Sequence, residues 1–195
     1  LLLAGDDESL RLGAMLGDFV RGRQALAGFS EEIQVGIMLH RHIDAHTDTL
    51  PRVVHLRSQI QAPFRRYGGI IIDLAFDHEL AKRWEDYSPA SLEDFDREVR
   101  EMLGRHEAVL PQRLRGFMKY ADRRGLFAAY RAESEILHSL HGIGRRLSRP
   151  NPLHRVDEIW ADFEPLVARN FVPAYEEIQS EVLDWLKSKS TITGS

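Results

Sequence analysis

The sequence predicts an all-α protein, a single-domain helical bundle over residues 1–187 with a polar, frayed tail at 188–195. Two observations carry this reading. Apolar residues recur at spacings of three and four, whereas alternating β-branched runs bounded by turn residues do not recur. The 195 residues, 43% of them hydrophobic, suffice for one sizeable core and are too few for two.

The elements follow in order. The acidic start Asp6-Asp7-Glu8-Ser9 suits a helix N-terminus and leads into Leu10, Leu12, Met15, Leu16 and Phe19, with Gly22 and Gly28 marking the end and the next turn. Ser30, backed by Glu31 and Glu32, caps a second helix through Ile33, Ile37, Leu39 and Ile43 to about His46. Pro51 opens a further helical stretch, and 70–84 reads as a helix buried on nearly every side. Ser91 and Asp94 resemble a capping box ahead of Phe95, Val99, Met102 and Leu103. Pro111 begins a segment with Leu114, Phe117, Met118 and Tyr120, and 126–147 reads as one helix. The two prolines of Arg149-Pro150-Asn151-Pro152 break it. A last long helix runs from about Arg155 to Leu186, with bends expected near Pro165 and Pro173.

Composition narrows the chemistry. There is no cysteine, so disulfides, zinc-thiolate sites and thiol nucleophiles are excluded, and a metal must be held by His and carboxylates. The net charge of -4 argues against a protein that coats nucleic acid. No apolar run approaches the roughly 20 residues of a membrane span, and no signal-peptide succession opens the chain, so a soluble cytoplasmic protein is expected.

Ionisable residues stand where helices should be apolar: Asp18 in 17–22, the run 40–48, and Asp73, Asp77 and His78 among Ile, Leu and Phe. A carboxylate in such company costs several kcal/mol to bury without a compensating partner. His40, Asp44 and Asp48 share one helix face and can reach a common ion, while His42 and His46 form a second pair about 160° away. Asp18, late in the first helix, opposes the helix dipole and calls for something positive, Arg21 or a metal. Each motif also has an ordinary reading: a surface His–Asp pair, Arg41 with Asp44 or Asp48, or Asp77 with Lys82 or Arg83. Three such anomalies in separate helices favour a metal or phosphate site. His55, His106, His138, His141 and His154 are assigned to surfaces or capping, the three tryptophans to core packing, and Arg65-Arg66, Arg123-Arg124 and Arg145-Arg146 to solvated faces, one of which could recognise an acidic partner.

On Gly-Asp-Phe-Val-Arg-Gly at 17–22, Gly36-Ile-Met-Leu-His-Arg-His-Ile-Asp44 continuing to Thr47-Asp48, and Asp73-Leu-Ala-Phe-Asp-His78 continuing to Trp84, the chain resembles the acyl carrier protein phosphodiesterases, or hydrolyases. The resemblance spans most of the chain. It implies an all-helical, HD-domain-like fold, with a permuted order of elements as one option. It also implies a divalent activating ion, manganese first, with magnesium or iron(II) as the other candidates. The reaction implied is hydrolysis of the phosphodiester joining 4′-phosphopantetheine to a serine of holo acyl carrier protein, with no nucleic acid or membrane partner. Asp18, His40, Asp44 and Asp77, with Asp73 behind them, become metal candidates. His78 or His42 becomes a proton donor, and Arg41 or Arg21 stabilises phosphoryl charge. Arg21, Arg23, Arg52, Arg57, Arg65 and Arg66 are candidates for docking the acidic carrier protein.

The chain departs from the family pattern twice. It has no His-Asp dipeptide, only the reverse order at Asp77-His78, and it begins Leu1-Leu2-Leu3-Ala4 where the family opens Leu-Ala-His-Leu, which would set a histidine ligand before Leu1. Other readings of the same residues are an HD-type phosphohydrolase acting on a nucleotide or other small phosphodiester, and a non-catalytic carrier-protein binding module.

Overall fold

The computed structural model describes the backbone of residues 1–193 and the side chains of 1–22, 24–119 and 125–189. Among these residues the regular structure is helical throughout, with nine α-helices and short 3-10 turns between them and no strand. The helices are α1 Glu8–Leu16, α2 Arg23–Leu26, α3 Glu31–Thr49, α4 Pro51–Gln59, α5 Gly68–Lys82, α6 Leu92–Arg105, α7 Gln112–Arg124, α8 Glu133–Arg146 and α9 Asp157–Thr193. No described helix is long and apolar enough to cross a membrane.

Capping chemistry places several boundaries where the sequence sets them. Asp7 Oδ1 accepts from Leu10 N at 2.8 Å to start α1, and Ser30 Oγ faces Ile33 N at 3.5 Å ahead of α3. Pro51 occupies the first turn of α4, where its missing N–H costs nothing. Ser91 Oγ accepts from Asp94 N at 3.0 Å and donates to Asp94 Oδ2 at 2.7 Å, a shortened version of the capping box.

Four expectations need correction. The first helix stops at Leu16, not Phe19: Phe19 N and Val20 N both turn to Leu16 O at 2.9 Å, so Asp18 sits in a turn beyond the helix. The helix expected over 126–147 starts only at Glu133: Ala128–Arg131 form a 3-10 turn, Ala132 is extended at φ -91° and ψ 124°, and Asp96 Oδ1 accepts from the N–H groups of Leu126 at 2.8 Å and Phe127 at 2.5 Å. The last helix runs through Pro165 and Pro173 as expected, but it ends at Thr193 and not near Leu186. Helix α5 is not buried all round, since Asp73 and Asp77, four residues apart, form an exposed stripe opposite Ile71, Ile72 and Ala75. Tyr120, Arg123-Arg124 and the side chains from residue 190 onward lie outside the described residues.

The chain divides into two units. One comprises Leu1–Thr47, Arg97–Arg124 and Tyr175–Ser195, and its core includes Leu12, Leu16, Ile37, Leu39, Leu103 and Leu114. The other comprises Asp48–Asp96 and Gly125–Ala174, with Leu56, Ile71, Ile72, Leu92, Trp160 and Phe171 fully buried.

Candidate metal centre

In the first unit, glycines bring α1 and α3 together. Gly13 and Gly17 are one turn apart on and just after α1, and Gly36 and His40 are one turn apart on α3. A Cβ on Gly13 would lie 2.7 Å from Gly36 Cα, so the two backbones touch. A Cβ on Gly17 would fall 2.7 Å from His40 Cβ and closer still to the imidazole ring, so the ring occupies the space that Gly17 leaves free.

That packing delivers the next residue, Asp18, to the ring edge. His40 Nε2 lies 3.4 Å from Asp18 Oδ1 and 3.2 Å from Asp44 Oδ2, the latter one helical turn along α3. These are ion-pair separations without hydrogen-bond geometry: Nε2 is buried and has no hydrogen-bond partner. The carboxylates remain open to water, with side-chain exposures of 76% for Asp18 and 62% for Asp44 against 24% for His40. Burial works against charge on His40, but contact with the two carboxylates outweighs it and raises its pKa to about 9. Contact with His40, helped by the charge of Arg21, holds the Asp18 carboxyl below its usual range.

The ligand atoms of Asp18, His40 and Asp44 all lie within 4.8 Å of one another. Adjacent ligands of an octahedral ion at ~2.1 Å are about 3 Å apart, close to the two separations observed here. An imidazole nitrogen with no hydrogen-bond partner, faced by two carboxylate oxygens, fits a divalent ion that accepts mixed N and O ligands. Arg41, adjacent to His40, is committed to the backbone of the turn that carries Asp18. Its Nη2 donates to Val20 O at 2.6 Å, which ties the turn carrying Asp18 to α3.

A second group of the same composition lies in the other unit: His78 and Glu79 of α5 with Glu164 of α9, again within 4.8 Å. Glu79, 0% exposed, accepts from Lys82 Nζ at 2.7 Å and Arg83 Nε at 3.0 Å. Lys82 Nζ also donates to Glu164 Oε1 at 2.7 Å. His78 Nδ1 donates to Tyr130 O at 2.7 Å, which fixes the tautomer and leaves only Nε2 with a lone pair. The two carboxylates therefore already share a cation, the Lys82 ammonium.

The other sequence candidates divide between the units. Asp48 belongs to the second unit and is tied to Arg57, so the third member of the His40 face is bound elsewhere. Asp73 and Asp77 are exposed on α5 of the second unit, each with partners in the chain. His42 stays in the first unit but faces α9, with Nε2 2.9 Å from Glu181 Oε1 and its ring stacked on Trp185 at 5.4 Å. Of the docking candidates, Arg21, Arg52, Arg65 and Arg66 are exposed, Arg52 has a partner in the chain, and the Arg23 side chain lies outside the described residues. Sequence reasoning missed Gly13, Gly17, Glu79 and Glu164. The four-residue spacing of Gly13 and Gly17 was the available signal for the first two, whereas Glu79 was hidden by the more conspicuous Asp77-His78 beside it.

An all-helical protein with a His–carboxylate cluster able to hold a divalent ion is thus the class that fold and geometry define. Comparison with known proteins gives the family: the description "Acyl carrier protein phosphodiesterase" matches residues 1–178, and the chain belongs to that family. It is 31% identical to the acyl carrier protein phosphodiesterase of Yersinia enterocolitica over 189 residues, covering 94% of this chain and 95% of that one. It is 34% identical to the Yersinia pestis protein of the same name over 147 residues, covering 75% and 76%, and 32% identical to that of Escherichia coli O6:H1 over 165 residues, covering 84% and 83%. No solved structure matches the chain.

Proposed function

We propose that this chain hydrolyses the phosphodiester between 4′-phosphopantetheine and a serine of holo acyl carrier protein, acting in the cytoplasm with a divalent ion, manganese first, held by Asp18, His40 and Asp44. The observation that carries the reading is the buried His40 Nε2, without a hydrogen-bond partner and facing two solvent-exposed carboxylates, in a chain whose relatives bear the name acyl carrier protein phosphodiesterase.

A divalent ion supplies positive charge to phosphoryl oxygens and lowers the pKa of water, which makes hydroxide available near neutral pH. The chain's own residues do the rest. Asp18 and Asp44 supply two negative charges that favour a cation, and their exposure leaves the centre open to a phosphodiester from solvent. Arg41 is a positioning residue: by holding Val20 O it fixes the turn on which Asp18 is presented. Attack of water oxygen on phosphorus breaks the bond to the serine oxygen, which leaves with a proton.

The test is to incubate holo carrier protein with the enzyme and Mn²⁺ and to follow the carrier by mass spectrometry. Loss of the phosphopantetheine mass, abolished by chelator and by Asp44→Ala, is expected. A carrier that keeps its prosthetic group in the presence of metal-loaded enzyme overturns the proposal.

A further inference from the structure

Several arginines of this molecule are spent on internal pairs, among them Arg11 with Asp6, Arg57 with Asp48, Arg83 with Glu79, Arg105 with Glu8, Arg131 with Glu93 and Arg155 with Glu158. Six exposed arginines of the second unit are not: Arg169 on α9, and five that come from three short segments. Arg65 and Arg66 on the 3-10 turn Phe64–Tyr67, Arg145 and Arg146 in the last turn of α8, and Arg149 just beyond it are all exposed, and none has an ion-pair partner among the described residues.

These five come from segments 80 residues apart in sequence that the fold joins. Tyr67 Oη donates to Pro150 O at 3.4 Å, so the residue after Arg66 touches the residue after Arg149. Asn151 fastens the same corner to α8: its Nδ2 donates to Gly144 O at 2.9 Å and to Arg149 O at 3.1 Å, and its Oδ1 accepts from Leu153 N at 3.2 Å. The proline-rich break is therefore a rigid bracket that holds three arginines beside two others. Leu147, one of the exposed large apolar residues, lies in the chain among them.

The dipole of α8 favours cations at its C-terminal end and accounts for Arg145 and Arg146. It does not account for Arg65, Arg66 or Arg149. On a chain of net charge -4, positive charge concentrated and left uncompensated at one corner repels itself and favours a partner of opposite sign.

We infer that Arg65, Arg66, Arg145, Arg146 and Arg149 form one docking surface for an acidic protein face, that of the carrier protein in the function proposed above. Exposed guanidinium groups on a rigid base steer such a face and set its orientation, with an apolar residue in their midst suited to an amphipathic acidic helix.

This inference rests on the proposed function, and binding is measured apart from turnover so that the two can fail separately. Labelled holo carrier protein is titrated with the metal-loaded enzyme at low and at physiological salt, using fluorescence anisotropy, for wild type, Arg65→Glu/Arg66→Glu, Arg145→Glu/Arg146→Glu, and Arg113→Glu/Arg115→Glu. The last pair makes the same charge change at exposed arginines of α7, in the other unit. Circular dichroism checks that each variant folds, and Arg→Gln versions replace any that do not. The expected result is at least a 10-fold rise in Kd for each of the first two variants, a flatter salt dependence, and less than a 2-fold change for the α7 control. Binding with these differences but no cleavage would refute the proposed function alone. Equal weakening by the α7 control, unchanged carrier binding in both corner variants, or no binding by wild type would overturn the docking surface. So would a corner that loses binding to phosphatidylglycerol vesicles or RNA while carrier binding persists.

Discussion

The Asp18–His40–Asp44 and His78–Glu79–Glu164 groups have the same inventory, one imidazole and two carboxylates within 4.8 Å, and they differ in what already balances the negative charge. In the second, Lys82 bridges Glu79 and Glu164 and Arg83 completes Glu79, so the polar atoms of a buried carboxylate are satisfied. In the first, the balancing charge is the proton that two carboxylates hold on His40, which a divalent ion can replace at the buried Nε2, and the acids face water. Composition and proximity are therefore poor guides to a metal centre. Which charges the fold has already paired is the better one, because a second cation gains little where an ammonium already stands.

The largest expected effects break this contrast at the first group. His40→Ala or Asp44→Ala removes a proposed ligand and should lower Mn²⁺ affinity and turnover by more than the roughly 10–100-fold lost with a supporting partner. Calorimetric titration with Mn²⁺ checks the affinity. Glu79→Gln should leave Mn²⁺ affinity within about 2-fold, and an equal loss there would erase the distinction between the groups.

Next in size is Gly17→Ala. The added methyl overlaps the His40 ring and must displace it, since overpacking at such a contact costs about 1–3 kcal/mol. Metal affinity and Tm should fall together, whereas Gly104→Ala on α6, where an added Cβ meets nothing within 4 Å, should leave affinity unchanged. Arg41→Gln, which loosens the tie to Val20 O, should weaken Mn²⁺ binding by about 10-fold while the far-ultraviolet spectrum stays helical.

Much of this architecture can be read from the chain itself. Caps at Asp7, Ser30 and Ser91 and the prolines at 51, 150 and 152 act through local chemistry, so the boundaries near them are visible in sequence. Where the prediction fails, the cause is tertiary. The segment ahead of Glu133 is pinned at Leu126 by Asp96, thirty residues earlier, and no local signal reports that contact. The site divides in the same way. His40 and Asp44 are legible as a turn-spaced pair, and Asp18 as a carboxylate out of place, but its approach to His40 depends on two glycine contacts between helices. The exposure of Asp73 and Asp77 could not be read from a helix whose apolar coverage looked complete; there the buried acid is Glu79.

The smaller effects concern stability and sharpen the contrast from the other side. Glu79→Gln leaves Lys82 and Arg83 without their buried partner. Breaking a buried pair costs ~3–5 kcal/mol, and because both cations are more than one-third exposed the expected loss is about 2 kcal/mol. For a chain of this size that is about 4–8 °C in Tm, read by differential scanning calorimetry. The pH dependence is weaker still. Burial pushes the Glu79 carboxyl up, but hydrogen bonds from Lys82 and Arg83 prevail and hold it below its usual 4.5. A depressed pKa contributes stability that is present above 4.5 and is lost as pH falls through the folded value. Urea denaturation should therefore show the gap between wild type and Glu79→Gln narrowing as the pH drops below 4.5.

The most direct test of the proposed centre is a crystal of the protein soaked in Mn²⁺ and measured for anomalous scattering. The expected result is a peak bonded to His40 Nε2, Asp18 Oδ1 and Asp44 Oδ2 at about 2.0–2.3 Å, with Lys82 still bridging Glu79 and Glu164. Manganese at Glu79 and Glu164 with Lys82 displaced, or no peak at His40, would contradict it.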